Sequence, residues 1–348
     1  MNFTLYPTML SDGSTSEPFD KNQLPFEIAD SVRIEAVKDR FPQESFDLWE
    51  KMIGSLAINA LTRVRFALVH RYDPDASCGG EFKPTATHTT DSWLLVRMMA
   101  ACLRLIRPMR QQAFLMHGKV RLADGMFDVH GFDDPPREFV EVPEVQKLSM
   151  LRNRDADALK TYVPLFLHAM RGQFDKFRFA VRFHELGYFS YSDLEARYLL
   201  WCSAIESIYT SSHPHHRGSL VATSRIKWFL GEETKIYSQG ELSQFDSGSE
   251  MTVGTVVHEL YKMRNFIAHG DKVPSVYFTD TPRHSVAGGV TKAEVLHEAA
   301  SFIIRASLLK ILREGLLAHF ANTTAAEKYF GAEGLILPIL RKTRQRSR

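Results

Sequence analysis

The second half of the chain carries apolar residues at helical spacing, and that periodicity constrains the fold more than any other feature. Val163, Phe166, Leu167, Met170, Phe174, Phe177 and Val181 recur three or four residues apart, one stripe along a long helix. Ser192-Asp193-Leu194-Glu195 is a capping-box pattern, in which Ser192 and Glu195 satisfy each other's backbone amides. The helix it opens carries Leu194, Tyr198, Trp201, Ile205 and Ile208. A shorter helix is predicted over 220–230, stopping at Gly231, with the Gly/Ser/acidic loop GELSQFDSGSE after it. Val253, Val256, Val257, Leu260, Met263 and Ile267 mark the next helix, which ends at Gly270. A second capping box, Thr291-Lys292-Ala293-Glu294, opens a last long helix running to about Phe320. Four long helices with short or moderate connections predict an all-α bundle over 155–322. The stripes alone report core packing and carry no function.

Residues 1–150 read differently. The first 25 are polar and turn-rich, and are expected to be irregular or an edge strand. A helix is expected over 45–62 and a strand over 64–71, where VRFALVHR is rich in β-branched and aromatic residues. Residues 73–90, DPDASCGGEFKPTATHTT, read as a loop, and 91–108 as a strongly apolar helix stopping near Pro108. Residues 112–130 suit two strands around a turn at Ala123-Asp124-Gly125. The expectation is an α+β N-terminal domain over 1–150, then the all-α bundle, then a C-terminal segment over 323–348. No repeat and no motif with chemistry stands out in 1–150; a sensing or regulatory role is the expectation for it.

Composition narrows the class. A chain of 348 residues suits two domains, and 44% hydrophobic with 24% charged residues suits globular cores. No apolar run reaches the roughly 18–20 residues of a membrane helix, so no membrane partner is expected. The opening MNFTLYPTMLSDGSTSEPFD lacks a basic segment followed by an apolar one and does not read as a secretory signal. Cys78, Cys102 and Cys202 are odd in number and without Cys-x-x-Cys spacing, which argues against a disulfide framework or a zinc ribbon. A reducing, cytoplasmic setting is expected. The net charge of +2 is uneven: residues 1–150 hold 17 Lys and Arg against 21 Asp and Glu. Five cations, Arg341, Lys342, Arg344, Arg346 and Arg348, crowd the last eight residues. Such a tail attracts RNA through counterion release. Its plainer reading is a solubilising terminus.

The stretch with chemistry is ELYKMRNFIAHGD, residues 259–271. Arg264 is followed directly by Asn265 and, five positions on, by His269, at the C-terminal end of an amphipathic helix and just before Gly270. An earlier helix carries Ala204-Ile205-Glu206. Together these segments resemble the HEPN superfamily, in particular its Apea-like group, which shows an Ala-Leu-Glu-like turn of helix and a later Arg-Asn-x-x-x-His-Gly element. The resemblance covers about 160–320. It implies a helical HEPN bundle and, in many members, a metal-independent endoribonuclease that works as a homodimer. Two Arg…His elements then face each other across the subunit interface. The ribose 2′-hydroxyl attacks the adjacent phosphorus and leaves a cyclic phosphate. The implied setting is phage defence or a toxin-like response. Other members act as non-catalytic modules that bind RNA, a nucleotide or a protein.

The residue types suit that chemistry. His moves protons near neutral pH, and Arg offers a planar, permanently charged fork to phosphoryl oxygens. Five helical residues advance the azimuth by about 140° net, so Arg264 and His269 do not share a face of a straight helix. Either His269 sits at the helix end with Gly270 as left-handed C′ residue, or the two serve different halves of a dimeric site. At a helix C-terminus the macrodipole favours an imidazolium. Asn265 is expected to orient a phosphate or the histidine. Each residue also has a structural reading: Arg264 paired with Glu206, Asn265 as a helix-end residue, His269 as a C-cap. Glu206 is expected to organise the site and not to react.

Other patterns fall short. His184-Glu185, His258-Glu259 and His297-Glu298 start like the zinc motif His-Glu-x-x-His, but Tyr188, Lys262 and Ser301 stand where the second His belongs. His213, His215 and His216 flank Pro214 in what reads as an exposed loop. No phosphate-binding glycine loop, dinucleotide fingerprint or nucleophile elbow occurs. No metal and no cofactor is therefore expected.

Overall fold

The computed structural model describes residues 2–8, 19–29, 31–53, 65–72, 88–107, 115–133, 151–189, 194–211, 218–236, 251–278 and 291–332. The chain divides into two compact units, Met1–Leu167 and His168–Arg348. Among the described residues it holds six strands and nine α-helices, a mixed α+β content in which helix predominates.

In the first unit the strands are β1 (Asn2–Thr8), β2 (Phe26–Ala29), β3 (Val32–Ala36), β4 (Phe66–Tyr72), β5 (Leu115–Val120) and β6 (Phe127–Asp133). They form one antiparallel sheet in the order β2-β3-β4-β1-β5-β6. Alternation along each strand sorts side chains onto two faces. Leu5 stands opposite both Val69 and Met116, so these residues share a face with Phe3, Ala67, Phe127 and Val129. Phe41 and Trp49, the latter on α1 (Phe46–Ile53), close that core. The opposite face meets α2 (His88–Ile106). There Ser92 Oγ donates to Thr4 Oγ1 at 2.7 Å, and Arg104 Nη1 donates to the Tyr6 hydroxyl at 2.5 Å. The helix α3 (Asn153–Arg171) begins in this unit: Asn153 Oδ1 accepts from the Asp20 amide at 2.8 Å, and the Lys160 ammonium lies 4.0 Å from the Phe26 ring centroid.

The first residues differ from expectation. β1 is an interior strand between β4 and β5, not irregular chain or an edge. The reason is two-sided burial: Phe3 and Leu5 fill one face, while Thr4 and Tyr6 are buried on the other with their hydroxyls bonded. Strands β2 and β3 were not expected. The strand expected over 64–71 is β4, and the pair around Ala123-Asp124-Gly125 is β5 and β6, with Gly125 at φ 72°. Of the helix expected over 45–62 the described part is α1; residues 54–62, most of the loop expected over 73–90, and Pro108 lie outside the described residues.

The second unit holds α4 (Asp175–Phe189), α5 (Leu194–Tyr209), α6 (Gly218–Leu230), α7 (Val253–Ala268), α8 (Lys292–Arg313) and α9 (Thr323–Ala332). The stripe from Val163 to Val181 is broken at Gly172, whose neighbour Phe174 folds its ring back to 2.5 Å from where a Cβ would stand. α3 ends at Arg171 and α4 starts at Asp175, with Gly172 in the turn between them. The capping box of α8 is present: Thr291 Oγ1 accepts the Glu294 amide at 3.3 Å, and Glu294 Oε2 accepts the Thr291 amide at 2.8 Å. That helix ends at Arg313, before the left-handed Gly315 (φ 66°), short of the expected Phe320. The core joins Tyr198, Trp201, Ile205 and Ile208 of α5 to residues such as Leu260 of α7 and Ile304 of α8. Arg225 of α6, fully buried, makes a bidentate pair with Glu327 of α9 at 3.1 and 2.7 Å. Ser192, Asp193, the loop 240–250, His213, His215, His216 and the five tail cations lie outside the described residues.

Candidate functional site at the end of α7

The helix α7 is fixed at both ends. Thr252 and Thr255 form a reciprocal capping box at its start, each side-chain oxygen accepting the other's amide at 3.4 and 3.1 Å. At its end Gly270 adopts φ 69°. Its amide donates to the Ile267 carbonyl at 3.1 Å and the Asp271 amide to the Phe266 carbonyl at 2.9 Å. These two bonds make a Schellman motif, with His269 as C-cap residue and Gly270 as the left-handed C′ residue. The His269 side chain is exposed, and makes no hydrogen bond, ion pair or ring contact among the described residues.

Arg264 lies one turn earlier and faces α5. Its Nη2 donates to Glu206 Oε2 at 3.1 Å and lies 3.0 Å from Oε1, with the two side chains 28% and 24% exposed. Nη1 makes a long contact of 3.4 Å to Asn265 Oδ1. The structure therefore brings Glu206, Arg264 and Asn265 together and leaves the His269 ring apart from them, as the helical offset requires. The Arg264 fork keeps Nε, and Nη1 apart from that long contact, available on its open side.

The floor of the pair is buried and apolar. The Tyr198 hydroxyl donates to the Leu260 carbonyl at 2.8 Å, which ties α5 to α7. Burial pushes the Cys202 thiol up, and the neighbouring Glu206 charge adds to the push while Arg264 opposes it, so Cys202 is an inert thiol. The Tyr261 phenol is pushed well up by the same causes, burial first and Glu206 second. Its hydroxyl is buried and makes no hydrogen bond among the described residues. In the sequence Cys202 is read only in the cysteine count, and Tyr261 lies off the apolar stripe and is not singled out.

A second polar group on α7 was also missed. Glu259 Oε1 accepts from Lys262 at 2.8 Å, and Oε2 accepts from Lys292 at 2.7 Å and from the Tyr277 hydroxyl at 3.3 Å. Hydrogen bonds from Lys262 and then Lys292 hold the Glu259 carboxyl down at about 2. The Glu259–Lys262 spacing of three is a readable helical pair; Lys292 arrives from the start of α8, which no local pattern announces. Of the three His-Glu pairs, His184 and His297 are buried among aromatic rings and His258 is exposed. Among the described residues no group of three or more His, Cys, Asp or Glu is placed to hold a metal ion. No helix among them is long and apolar enough to cross a membrane.

Comparison with known proteins found no matching family model, no similar curated protein and no similar solved structure.

Proposed function

We propose that this chain is a metal-independent endoribonuclease of the HEPN type, acting as a homodimer on RNA, in phage defence or a toxin-like response. The observation that carries the reading is the end of α7. An exposed His269, fixed in place by a Schellman turn, follows an Arg264 whose fork is steadied on one nitrogen by Glu206 and open on its other edge. In the proposed reaction the ribose 2′-hydroxyl gives its proton to water as its oxygen bonds to phosphorus, and the P–O5′ bond breaks. His269 gives its proton to the leaving 5′-oxygen, while Arg264 offers hydrogen bonds to the phosphoryl oxygens as their charge grows. Asn265 orients the phosphate, and Glu206 positions the arginine. In the proposed homodimer the Arg264 and His269 elements of the two copies face each other across the subunit interface and complete one site. The cations at 341–348 add sequence-independent attraction to RNA.

The Arg264–Glu206 pair also favours a second reading, a non-catalytic HEPN module that binds RNA, a nucleotide or a protein, with Arg264 serving structure. One experiment separates the two. Purified full-length chain is incubated with single-stranded RNA in EDTA, and the ends are analysed for 2′,3′-cyclic phosphate. Cleavage that survives the chelator and falls about 10²–10⁴-fold in His269→Ala, with an unchanged melting temperature, supports the nuclease. RNA binding without cleavage supports the module. His269→Ala cutting as fast as the parent chain sinks the site assignment.

A further inference from the structure

In the first unit three arginines converge on one carboxylate. Glu35, buried in β3, accepts from Arg33 Nε at 2.5 Å, from Arg40 Nη1 at 3.2 Å and from Arg71 Nη2 at 2.5 Å. The sheet register explains the meeting. Arg33 and Glu35 alternate onto one face, Arg33 stands opposite Val69, and Arg71 is the next residue of β4 on that face. Arg40 comes from the chain just after β3. It is fully engaged: Nε and Nη2 both donate to the Gly125 carbonyl, at 3.1 and 2.6 Å, and its guanidinium lies 4.2 Å from the Phe127 ring centroid.

Arg33 and Arg71 are engaged on one nitrogen each. Both Nη atoms of Arg33, and Nε and Nη1 of Arg71, make no hydrogen bond among the described residues, although Arg71 Nε is buried. Their side chains remain 31% and 21% exposed, so these donors border on solvent. Three guanidiniums against one carboxylate leave two positive charges in excess. Among the described residues no other acid pairs with Arg33, Arg40 or Arg71. Glu44 and Asp124 are both bound by Arg121, and Glu27, opposite Arg33 in the β2–β3 register, forms no ion pair with it. The excess is felt inside the cluster: burial first, then Arg71, depress the Arg40 guanidinium against the pull of Glu35. The surplus charge and the unused donors of Arg33 and Arg71 face solvent, while Arg71 Nε is buried without a hydrogen bond among the described residues.

We infer that Arg33 and Arg71, backed by Arg40 and held in orientation by Glu35, form a binding site for a phosphomonoester group. Planar forks with parallel N–H donors fit phosphate oxygens in pairs. A phosphomonoester carries about −1.5 to −2 charges at pH 7, which matches the excess of two, whereas a phosphodiester carries only one. The inference concerns the sheet unit alone and stands whether or not α7 cleaves RNA.

The test is calorimetric titration of the full chain with inorganic phosphate and, separately, with AMP, at matched ionic strength. Saturable binding by both is expected, at affinities between about 10 µM and 1 mM. Tighter binding of AMP would identify a nucleotide as the source of the phosphate, and equal binding the free ion. Arg33→Gln with Arg71→Gln should lose at least about tenfold in affinity. Arg71→Lys, which keeps the charge and loses the fork, should also weaken binding. Should the double variant fold poorly, phenylglyoxal labelling of the unaltered protein gives the same answer: phosphate should protect Arg33 and Arg71 and leave Arg313, exposed on α8, unprotected. No saturable heat up to about 10 mM, unchanged affinity in the variants, or equal labelling with and without phosphate would overturn the inference.

Discussion

The Arg264–Glu206 pair decides whether the α7 site is built for chemistry or only for packing, and its strength can be worked out. Two unit charges about 4 Å apart interact by about 1 kcal/mol in water and about 4 kcal/mol at an effective dielectric of 20. Both side chains here are about a quarter exposed, with contacts of 3.0 and 3.1 Å. Screening and the cost of desolvation therefore leave a coupling of about 1 kcal/mol. The single substitutions should differ. In Glu206→Gln the guanidinium can turn to solvent, so the loss should stay near 1 kcal/mol. In Arg264→Gln the carboxylate is left against the buried Tyr261 and Cys202, and the loss should be larger. A double-mutant cycle by urea unfolding of the full chain reads the coupling directly. In the nuclease reading the same variants separate again in cleavage: Arg264→Gln should cost about 10²–10³, and Glu206→Gln only about tenfold, since it loosens the fork without removing it. A coupling within about 0.3 kcal/mol of zero would refute the electrostatic account. Equal cleavage losses would move Glu206 from a positioning role into the reaction.

Three further outcomes follow from local structure. Gly270→Ala should destabilise by about 1 kcal/mol, because φ 69° is strained for any side chain even though the space around it is open; a neutral result in thermal melting would mean the Schellman turn does not hold in solution. Tyr261→Phe removes a buried hydroxyl without a hydrogen bond among the described residues and should be neutral or stabilising by up to about 1 kcal/mol, whereas a clear loss in urea unfolding would show that the hydroxyl has a partner. Glu259 is held at about 2 in the folded chain against an ordinary 4.5. Its contribution is thus complete above about pH 4.5 and lost as pH falls through about 2; with the side chain 28% exposed, screening limits it to about 1 kcal/mol, and Glu259→Gln should flatten the acid limb of the stability profile by that amount.

Helices were legible where burial is one-sided. Val253, Val256, Val257, Leu260 and Met263 are all buried, and the Thr291-to-Glu294 capping box stands as the pattern promised. Legibility failed where long-range contacts override local pattern. The first 25 residues read as polar and turn-rich, yet Asn2–Thr8 is an interior strand whose Thr4 is buried with its hydroxyl bonded by Ser92 of α2. The break between Arg171 and Asp175 falls inside a stripe whose three-or-four spacing runs on without interruption. The arginine cluster on Glu35 needs the β3–β4 register, and no sequence pattern links Arg33 to Arg71.

The α7 site shows the same division. That Gly270 ends the helix in a left-handed turn follows from sequence, because few residues but glycine accept that conformation. The sequence leaves open that Arg264 pairs with Glu206, and the two lie 3.0 Å apart. The histidine carries the remaining weight. A side chain with a structural duty at a helix end would bond a carbonyl or pack on a ring; that of His269 does neither among the described residues, while its backbone alone makes the cap. An exposed imidazole without internal partners costs the fold little to keep and little to lose. Its replacement therefore reports on function with almost no structural interference, whereas replacement of Arg264 always mixes the two. For that reason the decisive comparison is between His269→Ala and the Glu206–Arg264 cycle. A chain that loses cleavage at 269 while keeping its coupling across 206 and 264 has a working site; a chain indifferent at 269 has only a well-tied helix.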